Sequence, residues 1–311
     1  MDNKKIYIIG AGAIGKALAV FLQSENRDVA LIRGREDNIP AKVELITVTN
    51  GENQTFQQQI TTTTFSNLSA IDGIVLVTTK AFANEMLAAK LKNKKGRFSI
   101  VLLQNGLNVE KPFEDFDQLY RCVLFSTSQI VSTNQVSFKS VTASPVGIIN
   151  GKETVLNSIV GQISTVHFAF RSEFNIVKYV WDKAIINCAF NSICPLLEVD
   201  NGIFHTNPEA LELAESIIGE CVALADKLGI VVHSGEIKEK LLQISQRAEG
   251  QLISTYEDIR NNRRTEIESL NLEMARLADE AGVPGLVTNT RLLGEMIRIK
   301  SKIRIEQIKT I

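Results

Sequence analysis

Three polar residues recur at four-residue intervals within the apolar stretch 179–195, namely Lys183, Asn187 and Asn191. This spacing predicts a helix with the three side chains on one face. Because asparagine is a poor helix former and an unpaired amide is costly to bury, the pattern favours groups reserved for a ligand. A lysine ammonium beside them can protonate an oxygen that gains negative charge, so Lys183 is the candidate acid. The other interpretation is a solvated helix face, although such faces usually carry glutamate, lysine and arginine.

A second polar segment runs from Ser254 to Asn271 and is dense in charged side chains. From its composition alone it is typical of a solvated helix, or of two helices joined by a loop. No chemistry follows from its residues taken by themselves.

The chain begins with a short apolar run, residues 5–9, which leads into a glycine-rich turn and then a segment with helical spacing. The order strand, G-x-G-x-x-G, helix is typical of a dinucleotide-binding fold. Gly10 permits the tight turn, Gly12 lets the backbone approach a pyrophosphate, and Gly15 lets the helix pack close to the strand. The other interpretation is a purely structural turn. The candidate cofactor-binding residues here are Gly10, Ala11, Gly12, Ala13, Ile14 and Gly15.

The residue that follows the second predicted strand, 28–32, indicates which dinucleotide binds. An acidic residue there accepts a hydrogen bond from the ribose 2′-hydroxyl of NAD, but this chain has Arg33, with Arg35 close by. A guanidinium fits a 2′-phosphate, so the sequence favours NADP over NAD. Which of the two arginines meets the phosphate is left open.

Two further apolar runs, 73–78 and 99–103, are typical of central parallel strands covered on both faces. Polar residues follow each run, and they include Lys80 after the first and Asn105 after the second. Ligands of open α/β sheets bind beyond the carboxyl ends of the strands. Lys80 and Asn105 are therefore expected to meet the cofactor or the substrate.

These elements predict an α/β protein with an N-terminal Rossmann-type, doubly wound parallel sheet and an all-α C-terminal domain. Alternation within 41–66 indicates a hairpin-like insertion, and 120–150 is expected to hold the last strands of the sheet. Long segments with helical spacing begin near residue 173. The predicted domains are therefore 1–172, which binds NADP, and 173–311, which binds the substrate.

The composition excludes several classes of function. The chain has 311 residues, 44% of them hydrophobic and 22% charged, with a formal net charge of −1, which gives no basic footprint for nucleic acid or membrane. Four cysteines without a C-x-x-C pair indicate reduced, buried thiols, and the three dispersed histidines indicate neither a metal site nor a catalytic triad. A signal peptide is not apparent, so a cytoplasmic location is expected. An oligomer is compatible with the sequence.

Taken together, the motifs resemble the ketopantoate reductase (2-dehydropantoate 2-reductase) family over nearly the whole chain. The resemblance rests on the glycine turn, the strand ends Val-Thr-Thr-Lys80 and Leu-Gln-Asn105-Gly106, the helix from Trp181-Asp182-Lys183 through Asn191 to Asn201-Gly202, and the segment from Ser254 to Glu266.

The resemblance implies reduction of 2-dehydropantoate to pantoate by NADPH, a step towards coenzyme A, without a metal. It makes Lys183 the general acid. It makes Lys80, Asn105 and Glu266 contacts of the cofactor. The groups that it implies for holding the substrate are Asn105, Asn187, Asn191, Asn201 and Ser254.

Three alternatives stay open at this point. A reductase of another small 2-keto acid would need the same lysine and asparagines. A 3-hydroxyacid dehydrogenase related to 6-phosphogluconate dehydrogenase shares the two-domain plan, but Ser254 and the Lys-Asn-Asn pattern argue against it. A non-catalytic NADP-binding protein would keep the glycine turn and Arg33 without needing Lys183.

Overall fold

A computed structural model describes residues 4–34 and 36–309 of the chain. The chain divides into two compact units. The first contains the residues up to Gln104 together with Val109–Ile176, and the second contains Asn105–Asn108 together with the residues from Val177 onwards. Asn105–Asn108, which the sequence analysis included in the first domain, therefore belongs by its contacts to the second unit.

The first unit is built on one mixed sheet, which has eleven strands within the described residues. Six strands form its parallel centre in the order β4-β2-β1-β5-β6-β7, which is the doubly wound nucleotide-binding order. In chain order the strands are β1 (Lys5–Ile9), β2 (Val29–Ile32), β3 (Lys42–Asn50), β4 (Thr55–Thr63), β5 (Gly73–Val77), β6 (Phe98–Leu102), β7 (Leu119–Cys122), β8 (Ser126–Ser132), β9 (Gln135–Ser140), β10 (Ser144–Asn150) and β11 (Phe170–Ser172).

The central strands follow the apolar runs of the sequence because both of their faces are covered. Every residue of β2 and β5 is buried, and only the first residue of β1 and of β6 is not. The helices α1 (Ala13–Ser24), α2 (Asn84–Lys92) and α3 (Glu153–Ile163) belong to this unit. The predicted hairpin within 41–66 is confirmed as the antiparallel pair β3–β4. A second hairpin, β8–β9, extends the sheet by pairing β9 with β3.

The second unit is helical, and its described residues contain no strand. Asn207 shows how the sequence starts one of its helices: the side chain accepts the N–H of Ala210 at 3.0 Å, and Pro208 occupies the first turn. The Rossmann-type sheet with an all-α C-terminal domain is thus confirmed. The helices are α4 (Ile176–Leu197), α5 (Ile203–Thr206), α6 (Pro208–Lys227), α7 (Ser234–Arg247), α8 (Ser254–Arg260), α9 (Asn271–Glu280) and α10 (Thr288–Lys309).

Helix α4 is the centre of this unit and has apolar residues on most of its surface. Trp181, Ile185, Ala189 and Phe190 are among its buried side chains and pack with α6, α7 and α9 in one hydrophobic cluster. The four cysteines of the chain are buried thiols that form no disulfide. Burial, with the nearby charge of Asp200, raises the pKa of Cys194 to about 12, so this thiol stays protonated and unreactive. No helix in the described part of the chain has the length and hydrophobicity needed to cross a bilayer.

Gly15 gives a direct test of the close helix–strand packing in the first unit. A Cβ on Gly15 would lie 1.9 Å from the carbonyl oxygen of Gly10, so Gly15→Ala forces the turn and α1 apart. We expect a loss of about 1–3 kcal/mol in the free energy of unfolding, measured by urea denaturation. Gly161→Ala in α3 is the matched control, because a Cβ there meets no described atom within 4 Å and alanine favours the helix by up to about 1 kcal/mol. Equal stability of Gly15→Ala and the wild type would contradict this account of the turn.

Candidate functional site

The glycine turn of the first unit is held in place by Thr78. Its side-chain oxygen donates towards the carbonyl oxygens of Ile9 and Gly10 at 3.1 and 3.0 Å, and its backbone N–H donates to Ile9 at 2.8 Å. Gly10 has a φ of 121°, in the region that favours glycine. The turn thus joins β1 to α1 through contacts that depend on the absence of side chains at Gly10 and Gly15.

Gly12 differs from the other two glycines because the space beside it is open. A Cβ built there meets no described atom within 4 Å. Gly12 is also the N-cap of α1, and as a glycine it makes no side-chain hydrogen bond to the first N–H groups of this helix. Free N–H groups and the positive end of a helix dipole attract phosphate. The residues present therefore fit a dinucleotide pyrophosphate, with Ala11, Ala13 and Ile14 half-buried around the opening.

Arg33 lies directly after β2, as the sequence predicted, but its guanidinium is bonded to two carboxylates. It donates to Glu36 at 2.9 Å and to Glu44 at 3.2 Å. The hydrogen bond with Glu36, opposed by partial burial and helped by Glu44, raises the pKa of Arg33. The other arginine considered for the 2′-phosphate, Arg35, lies outside the described residues.

Two lysines that the sequence analysis did not single out lie near Arg33. Lys42 pairs with Glu44 at 2.9 Å. Burial lowers the pKa of Lys16; Glu44 opposes this shift, while the positive charges of Arg33 and Lys42 add to it. Lys16, Arg33 and Lys42 thus form a basic cluster around one carboxylate. Lys16 follows the glycine motif by one residue and Lys42 opens the inserted hairpin, so no spacing rule connects them with Arg33.

Lys80 lies three residues after the end of β5, is half-buried, and precedes a short 3₁₀ turn, Ala81–Ala83. Two buried amides fix the backbone before it. Gln104 donates to the carbonyl oxygen of Thr79 at 2.9 Å, and Asn84 donates to the side chain of Gln104 at 2.9 Å and to the carbonyl oxygen of Val109 at 2.7 Å. Sequence reasoning missed this pair because a single asparagine and a single glutamine carry no recognisable spacing.

In the second unit, α4 carries Lys183, Asn187 and Asn191 on successive turns of one face, as the spacing predicted. Lys183 and Asn187 are half-buried, while Asn191 is only 2% exposed. The rotation of α4 is anchored by its buried Asp182, whose carboxylate pairs with Lys240 of α7 at 2.7 Å and with Lys178 at 3.1 Å. Lys240 is a further residue that sequence reasoning did not find.

Asn191 uses both of its side-chain polar atoms within the protein. Its Nδ2 donates to the carbonyl oxygen of Asn187 at 3.0 Å. Its Oδ1 accepts long hydrogen bonds from the backbone N–H of Thr255 at 3.3 Å and from the hydroxyl of Ser254 at 3.4 Å, at the first residues of α8. An asparagine of one helix thereby caps another, which fixes exposed Ser254 beside the polar face of α4.

Asn201 lies in the turn after α4, buried, and its backbone is held at both ends. Its N–H donates to Gln251 at 3.0 Å, and its carbonyl oxygen accepts from the hydroxyl of Ser245 at 2.7 Å. Ser245 is buried on α7 and also contacts Nδ1 of His205 at 3.1 Å. The Oδ1 atom of Asn201 is buried and has no hydrogen-bond partner among the described atoms. His205, to which the sequence analysis assigned no role, thus supports the turn that carries Asn201.

Asn105 and Glu266 belong to two backbone segments that meet in the second unit. Leu107 donates its N–H to the carbonyl oxygen of Ser269 at 2.8 Å, and Gly106 packs so closely that a Cβ would lie 2.5 Å from the same oxygen. Ser269 in turn donates its backbone N–H to the carbonyl oxygen of Glu266 at 3.0 Å. These contacts explain why the short segment after β6 belongs to the helical unit.

The arrangement supplies two sets of groups. The first unit has an anion-binding helix start, the basic cluster around Glu44, and Lys80. The second unit has a lysine, several amides and a hydroxyl held by hydrogen bonds and by packing, which are the groups needed to bind a small polar molecule and to protonate an oxygen on it.

Family models match both halves of the chain. The model described as ketopantoate reductase PanE/ApbA matches residues 6–150, and the model of its C-terminal part matches residues 175–301. Among curated proteins, a 2-dehydropantoate 2-reductase from Aquifex aeolicus is 28% identical over 298 residues, which is 90% of this chain and 92% of the relative. One from Pyrococcus horikoshii is 27% identical over 281 residues, or 88% of this chain and 92% of the relative.

Solved structures with the same fold include a 2-dehydropantoate 2-reductase from Geobacter metallireducens, with a TM-score of 0.83 at 20% identity, covering 98% of this chain and 99% of that one. A D-mandelate dehydrogenase with NADH and anilino(oxo)acetate has a TM-score of 0.83 at 21% identity, with coverages of 96% and 99%. A dimeric ketopantoate reductase from Staphylococcus aureus has a TM-score of 0.80 at 19% identity, also with coverages of 96% and 99%. Since the family models together match well over half of its residues, the chain belongs to the ketopantoate reductase PanE/ApbA family of oxidoreductases.

Proposed function

We propose that this protein reduces 2-dehydropantoate to pantoate with NADPH, in the cytoplasm and on the route to coenzyme A. The observation that carries the proposal is the polar face of α4, where Lys183 and Asn187 lie on the same side as Asn191, which holds Ser254. A lysine, amides and a hydroxyl on one surface match a substrate that has a carboxylate, a keto oxygen and a terminal hydroxyl.

Lys183 is the proposed catalytic residue. Bound NADPH supplies the hydride that the keto carbon accepts, and the electrons of the carbon–oxygen double bond move to the oxygen. The ammonium group of Lys183 stabilises this oxygen and transfers a proton to it, which leaves pantoate and a neutral amine that solvent reprotonates. The chemistry needs no further proton donor.

The remaining polar groups of the second unit are proposed to bind and orient the substrate. Asn187, Ser254, Asn105 and Asn201 offer amides and a hydroxyl for the carboxylate and the terminal hydroxyl. Asn191 has both side-chain polar atoms bonded within the protein, so we assign it a positioning role through Ser254 instead of a direct contact.

For the cofactor, we propose that the residues from Gly10 to Gly15 bind the pyrophosphate and that Arg33 binds the 2′-phosphate of NADPH, with Lys80, Asn105 and Glu266 contacting other parts of the molecule. The positive charges of Lys16 and Lys42 beside Arg33 support a doubly charged phosphate at this place. Glu36 is exposed and can move away from Arg33 at little cost, whereas Glu44 is largely buried.

A second candidate is an NADH-dependent reductase of another small 2-keto acid. The observation that favours it is the pairing of Arg33 with Glu36 and Glu44, because these two carboxylates compete with a 2′-phosphate for the guanidinium. Substrate tests should therefore include a branched 2-keto acid without a terminal hydroxyl and an aromatic one.

Replacement of the proposed acid gives the first functional prediction. Lys183→Ala is expected to lower kcat for ketopantoate by about 10²–10⁴-fold, because the developing negative charge loses its proton donor. The rate is followed through the nicotinamide absorbance, and NADPH binding is measured separately and should not change. Lys238→Ala, which removes a lysine from the exposed Lys238–Glu215 pair, is the control. Full activity of Lys183→Ala would remove this residue from the mechanism.

The choice between NADPH and NADH gives the second functional prediction. Arg33→Ala is expected to lower kcat/KM for NADPH by about 10–100-fold, the effect of losing charge-assisted hydrogen bonds to the phosphate, and to leave kcat/KM for NADH nearly unchanged. Arg97→Ala, an exposed arginine elsewhere in the first unit, serves as the control. A wild-type enzyme that prefers NADH, with no effect of Arg33→Ala on NADPH, favours the second candidate.

The capping of α8 by Asn191 gives the third functional prediction. Asn191→Leu removes hydrogen bonds from a buried site, so we expect a loss of about 1–3 kcal/mol in the free energy of unfolding together with a higher KM for ketopantoate. Ser254→Ala, at an exposed position, should raise KM while leaving stability within about 0.5 kcal/mol. If Asn191→Leu loses stability and keeps its KM, Asn191 has only a structural role.

A further inference from the structure

Every second residue in the first part of β3 lies on the side of the sheet that α1 covers. Side chains of a strand alternate between its two faces. Ile46 and Val48 are fully buried in the cluster that also contains apolar residues of α1, whereas Val43, on the other face, is 61% exposed. Lys42 and Glu44 are therefore the polar end of the row that packs against α1.

The pairing of the strands brings Glu44 to Arg33. Strand β4 lies between β2 and β3, and Glu44 pairs with Ile60 of β4. Arg33, the first residue after β2, donates its N–H to the carbonyl oxygen of Thr63 in β4 at 2.9 Å, and its guanidinium reaches the carboxylate of Glu44 at 3.2 Å. The sheet thus fixes the backbone at both ends of this ion pair.

Two lysines complete the basic cluster around Glu44. Lys42 pairs with its carboxylate at 2.9 Å. Lys16, on α1, donates its ammonium group to the carbonyl oxygen of Thr133, in the turn between β8 and β9, and the negative charge of Glu44 acts on it. Glu44 is therefore the carboxylate that three cations share.

Glu36 and Glu44 both bond to Arg33, but they differ in how easily they can leave it. The side chain of Glu36 is 52% exposed, so water replaces its hydrogen bond at little cost. The side chain of Glu44 is only 14% exposed. Burial opposes the ionisation of Glu44, but its hydrogen bonds, the first with Lys42, outweigh burial and lower the pKa of the carboxyl. Glu44 thus stays charged and in place when a ligand arrives.

A carboxylate fixed among three cations opposes the binding of a phosphate dianion beside them. With Glu36 turned away, the cluster has three positive charges and one negative charge, so every cation that meets the phosphate is shared with Glu44. A neutral residue in place of Glu44 would leave all three cations to the phosphate. The 2′-hydroxyl of NADH carries no charge, so its binding is not opposed in this way.

We propose that Glu44 is a specificity-determining residue that limits the preference of this protein for NADPH over NADH. Its carboxylate weakens the attraction of the basic cluster for the 2′-phosphate. Without a ligand, the same carboxylate stabilises three neighbouring cations that would otherwise repel one another. The proposal rests on the proposed placement of the adenosine ribose beside Arg33, and it does not depend on which keto acid is reduced.

The test measures cofactor binding without turnover, through the fluorescence of the reduced nicotinamide. The selectivity is the dissociation constant for NADH divided by that for NADPH. Glu44→Gln is expected to raise the selectivity about tenfold or more by tightening NADPH binding, while NADH binding changes by less than about threefold. Glu36→Gln removes the exposed carboxylate from the same arginine and is the matched control, with a change in selectivity of less than about threefold.

Two further variants separate the charge of Glu44 from its shape. Glu44→Thr removes the charge with a residue that is favoured in strands, and it should also raise the selectivity, which keeps the test decisive if glutamine disturbs the fold. Glu44→Asp keeps the charge and should stay closer to the wild type than either neutral variant. Circular dichroism shows which variants are folded.

Unchanged or lower selectivity in the folded neutral variants overturns the role of Glu44. Failure of the proposed cofactor gives a different result. A wild type that binds NADH more tightly than NADPH contradicts NADPH as the cofactor, whereas a rise in selectivity on neutralising Glu44 still supports its role beside the ribose.

Discussion

The rotation of α4 about its own axis is the constraint on which the candidate site depends. Buried apolar residues cover most of this helix, so only a narrow face is left for polar groups, and any rotation would bury a lysine. The buried carboxylate of Asp182 fixes the rotation by pairing with α7, and Asn191 fixes it again by capping α8. Hydrophobic burial thus supplies the stability of the helix, and two polar contacts supply its orientation.

In the first unit, too, packing fixes the element that is offered to a ligand, here through glycines instead of polar side chains. The close contact of Gly15 with the carbonyl of Gly10 brings α1 against the sheet, and the open space at Gly12 keeps the start of that helix accessible. Gly15 therefore serves the packing of α1 on the sheet, and Gly12 leaves room for a ligand at the start of the same helix. In both units the groups offered to a ligand are rigid because ordinary packing forces, and not the ligand, hold the elements that carry them.

The sequence predicted the parts of this protein that follow a periodic rule. The apolar runs became the central strands, the glycine motif lies between β1 and α1, and the four-residue spacing placed Lys183, Asn187 and Asn191 on one helix face. It could not predict contacts between residues far apart in the chain, such as Asn191 with Thr255 or Ser245 with Asn201, because single polar residues have no spacing to recognise. The separation of Asn105–Asn108 from the strand that precedes it was missed for the same reason: it arises from backbone contacts with Ser269.

Asn191 bears on both the stability of the fold and the proposed binding of substrate, two requirements that often conflict in enzymes. Active-site residues commonly lower stability, since groups held ready for a substrate have unsatisfied polar atoms until it binds. Here the asparagine that bonds to the Ser254 hydroxyl also closes the start of α8, so under the proposed function one side chain serves both the fold and the orientation of the substrate. A substitution at Asn191 then acts through one atom, Oδ1, on the start of α8 and on the position of the Ser254 hydroxyl at the same time.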